Sequence, residues 1–302
     1  MNTTSSDVVR IRTHAKVNLF LRIMGRRADG FHEVETILHG VKLGDDLEFR
    51  ATDTGRIEVD IRWAAAGATG DLPSMEENLV YAAASVLVEH GAFNEGTHIA
   101  VTKRIPIGAG LGGGSGNAAG ALVLLNEIWK AGFQDSRVAE FAASIGSDVP
   151  YCIGGGTALA KGRGEQLTRL PGPTGLTFVL GVSKQPLSTR EVFQAWDEFG
   201  SSTEVSGAPM TMALGSGDAH DIASLLHSDL EPVVFKLRPE LMDKKRKLLE
   251  AGALGAAVSG SGSTLFGIAT DEAHARSIAA RIQGDFQAVY VVGSQPQCIE
   301  RL

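Results

Sequence analysis

The sequence predicts an α+β protein of two domains, each a sheet with helices on one face. Three observations carry this reading. At 302 residues the chain exceeds what one hydrophobic core usually serves. Segments of two-residue apolar alternation are mixed with helix-like segments in irregular order rather than in strict strand-helix repetition. Around Pro171-Gly172-Pro173 the chain punctuates itself, which places a boundary there and gives domains 1–172 and 173–302.

Residues Met1–Asp7 read as a disordered Ser/Thr tail. Val8–His14 alternates as a strand, and Lys16–Met24 continues it with Val17, Leu19, Leu21 and Ile23 on one face. Asp29-Gly30 signals a turn into a strand from Phe31 to Leu43. Leu47–Ala51 and Arg56–Trp63 flank Asp53-Thr54-Gly55 as a candidate hairpin. A helix starts at Glu77-Asn78 and stops at Gly91, and a strand follows over Thr97–Ile105. Helices are expected over Asn117–Lys130 and Ser136–Ile145, then a turn at Ser147–Pro150 and a strand after Gly154-Gly155-Gly156.

Beyond the boundary come strand Thr177–Val182, helix Thr189–Phe199 and a Ser/Gly-rich stretch from Gly200 to Gly217 expected to be mobile. Helices Asp218–His227 and Pro239–Ala251 follow. Strands Ala256–Ser259 and Ser263–Ala269, helix Asp271–Gln283 and strand Ala288–Val292 complete the chain.

With 43% hydrophobic and 21% charged residues the composition is that of a globular protein, and a net charge of −7 disfavours nucleic-acid binding. Cys152 and Cys298 are too few for a disulfide framework and are expected to be reduced. The amino-terminal residues hold no apolar signal region, and a cytoplasmic protein without membrane contact is expected.

The most singular stretch is KRIPIGAGLGGGSGNAAGALVLLN, Lys103–Asn126. Gly108, Gly110, Gly112, Gly113 and Gly114 lie within seven positions, and Ser115 follows. Such a loop turns backbone N–H groups towards one concavity, and the next helix adds its positive end, so the natural occupant is a phosphate. Glycine clusters also mark flexible loops and tight helix packing. The run is not a P-loop, because no Lys-Ser/Thr pair closes it. GxGxxG spacing can be found within it, which leaves a nucleotide-binding oxidoreductase as the alternative from another class, but the expected acidic partner would fall after a helix instead of at a strand end.

Lys16 stands in an otherwise apolar strand with Asn18 on the same face, offering a cation and an amide to one surface; the alternative is a snorkelling surface lysine. Asp148 is either a turn or capping aspartate or, beside a phosphate cradle, a general base for an attacking hydroxyl. Phe31-His32 is either core and satisfied polar residue or a stacking plane next to a polar reader. Ser259–Thr264 is either a strand-to-strand turn or a second amide nest.

With these residues in view, the chain resembles the GHMP small-molecule kinases from about Ile11 to Phe266. The carriers are PIGAGLGGGSGNAAGAL, IGSDVPYCIGGGTALAKGRGE and VSGSGSTLF. AKVNLFLRIMGRRADGFHEVETILHG narrows the resemblance to the branch acting on a cytidine-diphosphate ester of methylerythritol in non-mevalonate isoprenoid synthesis; another acceptor of the family, homoserine, mevalonate or a sugar, is the near alternative.

The resemblance implies an S5-like N-terminal domain, a ferredoxin-like C-terminal domain and a cleft between them that takes ATP with Mg²⁺. It implies Asp148 as base, Lys16 as the cation orienting the hydroxyl and the γ-phosphate, and Phe31, His32, Asn18 and Thr189 as substrate contacts. Pro106, Gly108, Gly110, Leu111, Gly112, Gly113, Gly114, Ser115, Asn78 and Lys103 fall on the nucleotide side. Gly116 stands where the family often has a second Ser, which puts one hydroxyl contact to phosphate or Mg²⁺ in question. Phe31 replaces a common Tyr.

Overall fold

The computed structural model describes residues 8–64, 71–75, 77–91 and 96–302; the amino-terminal tail expected at Met1–Asp7 lies outside them. The apolar alternation that begins at Val9 runs unbroken into β1 (Val9–Arg26), and Gly30, at φ 86°, turns the chain into β2 (His32–Ala51). The break expected after Leu43 is a register shift in one antiparallel pair, where the partner of β1 passes from Gly44 at His14 to Val41 at Ala15.

The expected hairpin at Asp53–Gly55 does not form. β3 (Ile57–Trp63) pairs in parallel with β4 (Thr97–Lys103), and β4 lies between β2 and β3. The burial pattern gives the reason: β4 alternates between fully and partly buried positions as an inner strand does, whereas β3 is nowhere fully buried and suits an edge. The parallel pair needs a long crossover, which contains α1 (Leu79–Glu89).

Next come α2 (Gly113–Ile128), α3 (Asp135–Ile145) and α4 (Val149–Gly154). They cover the sheet over a core that includes Leu38, Phe49, Ile99, Leu122, Leu125 and Phe141. Helix α2 starts four residues before the expected Asn117, inside the glycine run, and Asp148 leads into a short helix rather than a simple turn. Gly120 lets α2 lie against β1, since a Cβ there would come within 2.7 Å of Ile11 Cδ1. β5 (Thr157–Lys161) pairs with β2, and β6 (Gln166–Arg169) pairs with β5.

The second half holds β7 (Thr177–Val182), α5 (Thr189–Phe199), α6 (Ala208–Ser216), α7 (Ala219–Ser224) and β8 (His227–Ser228). α8 (Glu231–Leu237), α9 (Glu240–Glu250), β9 (Gly255–Val258) and β10 (Leu265–Ala269) follow, then α10 (Glu272–Ile282), β11 (Ala288–Gly293) and β12 (Ile299–Arg301). Its antiparallel sheet has the order β11-β7-β10-β9. The stretch expected to be mobile carries α6, which buries Met210, Ala213 and Leu214. The helix expected to reach His227 ends at Ser224, freeing His227-Ser228 to pair with β1.

Strand β12 also joins β1, so the C-terminal segment contributes to the first sheet. A shared core welds the two sheets: Val17, Leu19, Phe20 and Ile37 pack with Phe178, Leu180, Phe266 and Ile268. Among the described residues no helix is long and apolar enough to cross a membrane.

Candidate active site

The candidate catalytic, nucleotide-side and substrate-side residues of the sequence all line one cavity of about 960 Å³ between the two sheets, joined by Gly260 and Ser261 from the Ser259–Thr264 stretch. Its floor is the loop from Pro106 to Gly112. Gly108, Gly110 and Gly112 take positive φ of 65°, 75° and 71°, a conformation that only glycine adopts freely. The residues between them, Ala109 and Leu111, are buried and anchor the loop in the core.

The loop's carbonyls are tied from behind: Leu111 O accepts from Lys16 N at 3.0 Å, Ala109 O from Thr264 N at 3.3 Å and Gly110 O from Ser259 Oγ at 3.0 Å. Gly112 is the N-cap of α2 and has no side chain to cap it, so the first-turn N–H groups of Gly113, Gly114 and Ser115 open on the cavity. That arrangement suits an anion with several oxygens. Gly116 does not face it: a Cβ there would point at His14 O, 3.4 Å away, and at Cys298 Sγ. A serine hydroxyl at 116 would be directed into the protein, so this departure from the family pattern removes no cavity contact.

Lys16 is no snorkelling residue, being 4% exposed. Its Nζ donates to Asn18 Oδ1 at 2.8 Å and to Gly110 O at 3.1 Å, and lies 3.3 Å from Asp148 Oδ2. Asn18 is fixed in turn by donating to Thr36 Oγ1, whose own proton goes to Phe20 O. Asp148 occupies the N-cap position of α4 without capping it. Its carboxylate is the accessible member of the pair, 36% exposed against 5% for the lysine side chain.

The stretch Ser259–Thr264 is the turn between β9 and β10 and also a wall of the site. A Cβ on Gly260 would come within 3.2 Å of Lys16 Nζ and 3.3 Å of Asn18 Oδ1. Ser261 Oγ is 3.0 Å from Thr189 Oγ1.

Lys103 lies beneath the first turn of α2. It donates to Asn117 Oδ1 at 2.9 Å and to Asp45 Oδ2. Asp45, fully buried, also accepts from Asn117 Nδ2 and from the backbone N–H groups of Arg104 and Ile105. Asp45 and Asn117 escape sequence reasoning; nothing separates Asp45 from its neighbour Asp46 until the fold buries one of them. Asn78 Oδ1 caps α1 through Val80 N at 2.9 Å. Cys152, on α4, is buried, and its hydrogen bond with Cys298 and its burial push its thiol well above the usual range.

On the same cavity wall Phe31 and His32 diverge as expected: Phe31 is 50% exposed and His32 buried. The Arg163 guanidinium sits 4.8 Å from the Phe31 ring centre. The His32 ring packs 4.8 Å from Phe193 and edge-on to Trp196, and its Nε2 is 2.7 Å from Asp197 Oδ1. Arg163, Phe193 and Asp197 carry no local sequence signal, since they reach the site only through the fold.

Residues 78–156 match the GHMP kinases N terminal domain and residues 210–288 the GHMP kinases C terminal domain. The 4-diphosphocytidyl-2-C-methyl-D-erythritol kinase of Pelotomaculum thermopropionicum is 44% identical over 94% of this chain and 97% of its own. That of Gloeobacter violaceus is 39% identical over 92% and 91%. A crystal structure of 4-(cytidine 5'-diphospho)-2C-methyl-D-erythritol kinase superimposes with a TM-score of 0.75 at 30% identity, covering 94% of this chain and 98% of that one. A homoserine kinase from Cytophaga hutchinsonii gives 0.76 at 22% identity over 100% and 99%, a likeness of fold alone. The backbone therefore does not separate acceptors within the family, and sequence identity does: the chain belongs to the GHMP kinase family, among the 4-diphosphocytidyl-2-C-methyl-D-erythritol kinases.

Proposed function

We propose that the chain transfers the γ-phosphoryl group of ATP to the 2-hydroxyl of 4-diphosphocytidyl-2-C-methyl-D-erythritol. The observation that carries the mechanism is the Lys16–Asp148 pair, 3.3 Å apart, in the cavity that the glycine loop and Phe31–His32 also line. The loop and the start of α2 take the ATP phosphates. Phe31 stacks on the cytosine ring, His32 hydrogen-bonds it, and Asn18 and Thr189 contact the methylerythritol portion. The acceptor oxygen attacks the γ-phosphorus, the bond to the β–γ bridging oxygen breaks, and the hydroxyl proton passes to Asp148. Lys16 holds the acceptor and the γ-phosphate in line and offsets their charge.

Mg²⁺ would come with the ATP phosphates, and Ser115, in the first turn of α2, would offer it a hydroxyl at the cavity wall. When bound, the ion would neutralise phosphate charge. A dinucleotide oxidoreductase is disfavoured by the sheet, because β4 leads into the loop without a parallel βαβ partner beyond it: β5 pairs with β2 and β6, both antiparallel.

Asp148→Asn tests the central role. It is expected to lower kcat by roughly 10² to 10⁴ with ATP affinity nearly unchanged, as followed by coupled ADP detection and by ATP titration; near-normal turnover removes Asp148 from the chemistry. Silence of the wild-type enzyme with the cytidylyl acceptor, in a panel that includes homoserine and mevalonate, overturns the acceptor.

A further inference from the structure

We propose that Asp197 fixes the tautomer of His32 and thereby makes the base end of the cavity select cytosine over uracil. The inference rests on the assignment of that end to the substrate's nucleobase.

His32 opens β2, and its ring is held on two sides by α5, with Phe193 tilted at 33° and Trp196 edge-on at 85°. The ring therefore has one orientation. Its Nε2 lies 2.7 Å from Asp197 Oδ1, and Oδ2 of the same carboxylate is 3.5 Å from Arg26 Nη1. A carboxylate only accepts hydrogen bonds, so Nε2 must carry the proton. In the neutral imidazole Nδ1 is then a lone-pair acceptor.

Among the described residues Nδ1 makes no hydrogen bond, yet the ring lines the cavity beside Phe31. A buried ring with one nitrogen satisfied and the other free, at the wall of a ligand cavity, is a reader with a fixed polarity. Cytosine presents an amino donor at C4, which meets that acceptor. Uracil presents a carbonyl oxygen in the same place, and two lone pairs would face each other with neither satisfied. Asp197 is thus a positioning residue acting through His32. Its partner lies 165 residues away in the sequence, and no motif announces it.

The test compares kcat/KM for the cytidylyl substrate and its uridylyl analogue in the full-length wild type and in Asp197→Asn. An asparagine amide can accept from Nε2 or donate to it, so this variant keeps the size and releases the lock. Wild type is expected to prefer the cytidylyl compound by roughly 10²-fold or more. Asp197→Asn should lower that ratio by about tenfold or more, through KM and with kcat little changed. Asp197→Glu should retain most of the discrimination. Long-range ¹H–¹⁵N NMR of the histidine rings should find His32 protonated on Nε2 alone in the wild type.

A wild-type His32 protonated on Nδ1, or a ratio that Asp197→Asn leaves unchanged, overturns the proposal. His32→Ala separates it from the reading beneath it. If that variant raises KM for the cytidylyl substrate while Asp197→Asn leaves the ratio unmoved, the base pocket stands and the tautomer lock falls. If His32→Ala leaves KM unchanged, the base assignment fails, and the lock fails with it.

Discussion

Replacing Lys103 by methionine separates a strut from a phosphate ligand. The side chain is 5% exposed and keeps nearly its length in the variant, so the change is mainly the loss of a charge beside fully buried Asp45. Three donors remain to that carboxylate: Arg104 N at 2.6 Å, Ile105 N at 2.8 Å and Asn117 Nδ2 at 3.1 Å. Breaking a buried pair from one side costs about 3 to 5 kcal/mol. The three remaining donors keep the loss near the lower figure, a fall in Tm of roughly 6 to 12 °C.

Asp45→Asn placed on Lys103→Met should recover at least about 1 kcal/mol, because the stranded charge is gone, and a double-mutant cycle by thermal melts gives the coupling. ATP titration supplies the second axis. If Lys103→Met melts within about 2 °C of wild type while ATP affinity falls tenfold or more, the lysine is a ligand of the phosphates and the strut assignment is wrong.

Gly110→Ala puts a Cβ 2.0 Å from Ser259 O and 2.9 Å from Gly262 O, at a φ of 75°. The loop must move and Gly110 O leaves Lys16, so kcat/KM should fall by about 10²-fold or more; wild-type turnover would show that the loop tolerates the shift. His39 is held neutral between Thr157 Oγ1 and Ser294 Oγ, both at 2.8 Å, and burial lowers its pKa to about 4. As the pH falls from 6.5 towards 4 the unfolded chain binds a proton that the folded one refuses. Stability present above pH 6.5 is lost in that window, by up to about 3 kcal/mol, and His39→Gln should flatten the Tm–pH curve; equal slopes would contradict this. Phe31→Ala should raise KM for the cytidylyl substrate by the equivalent of about 1 to 3 kcal/mol with Tm unchanged, and an unmoved KM would deny the stacking.

What could be read from the sequence was local. Two-residue alternation located most strands, but strand pairing is not local, and β4 displaced the hairpin expected between β2 and β3. Helices α4 and α8 were missed because Pro150 and Pro232 look like breakers, although each stands in the first turn, where proline costs no hydrogen bond. Helix α2 starts early for the opposite reason: glycines score poorly as helix formers, yet in a first turn they leave N–H groups uncovered for a ligand. The site's conspicuous residues were legible because each breaks a local rule. Lys16 interrupts an apolar strand, and glycine crowds the loop. Asp45 and Asp197 break none; their partners lie 58 and 165 residues away.

That difference alters how charge works in the cavity. From the sequence, Lys16 and Lys103 look like replacements for the lysine that a P-loop would supply. In the fold each ammonium already has a carboxylate, Asp148 for one and Asp45 for the other. With Asp45 and Asn117 as its partners, Lys103 has the contacts of a strut beneath the loop, the role that Lys103→Met tests. The two pairs differ in one respect: Asp45 is sealed in the core, whereas Asp148 faces the cavity. On the proposed chemistry Asp148 takes up the acceptor's proton, and its charge disappears as negative charge builds on the transferring phosphoryl group. Lys16 then loses its compensating anion at the moment another forms nearby. A cation paired in the ground state and released in the transition state stabilises the second more than the first, which is the condition for raising kcat rather than only tightening binding.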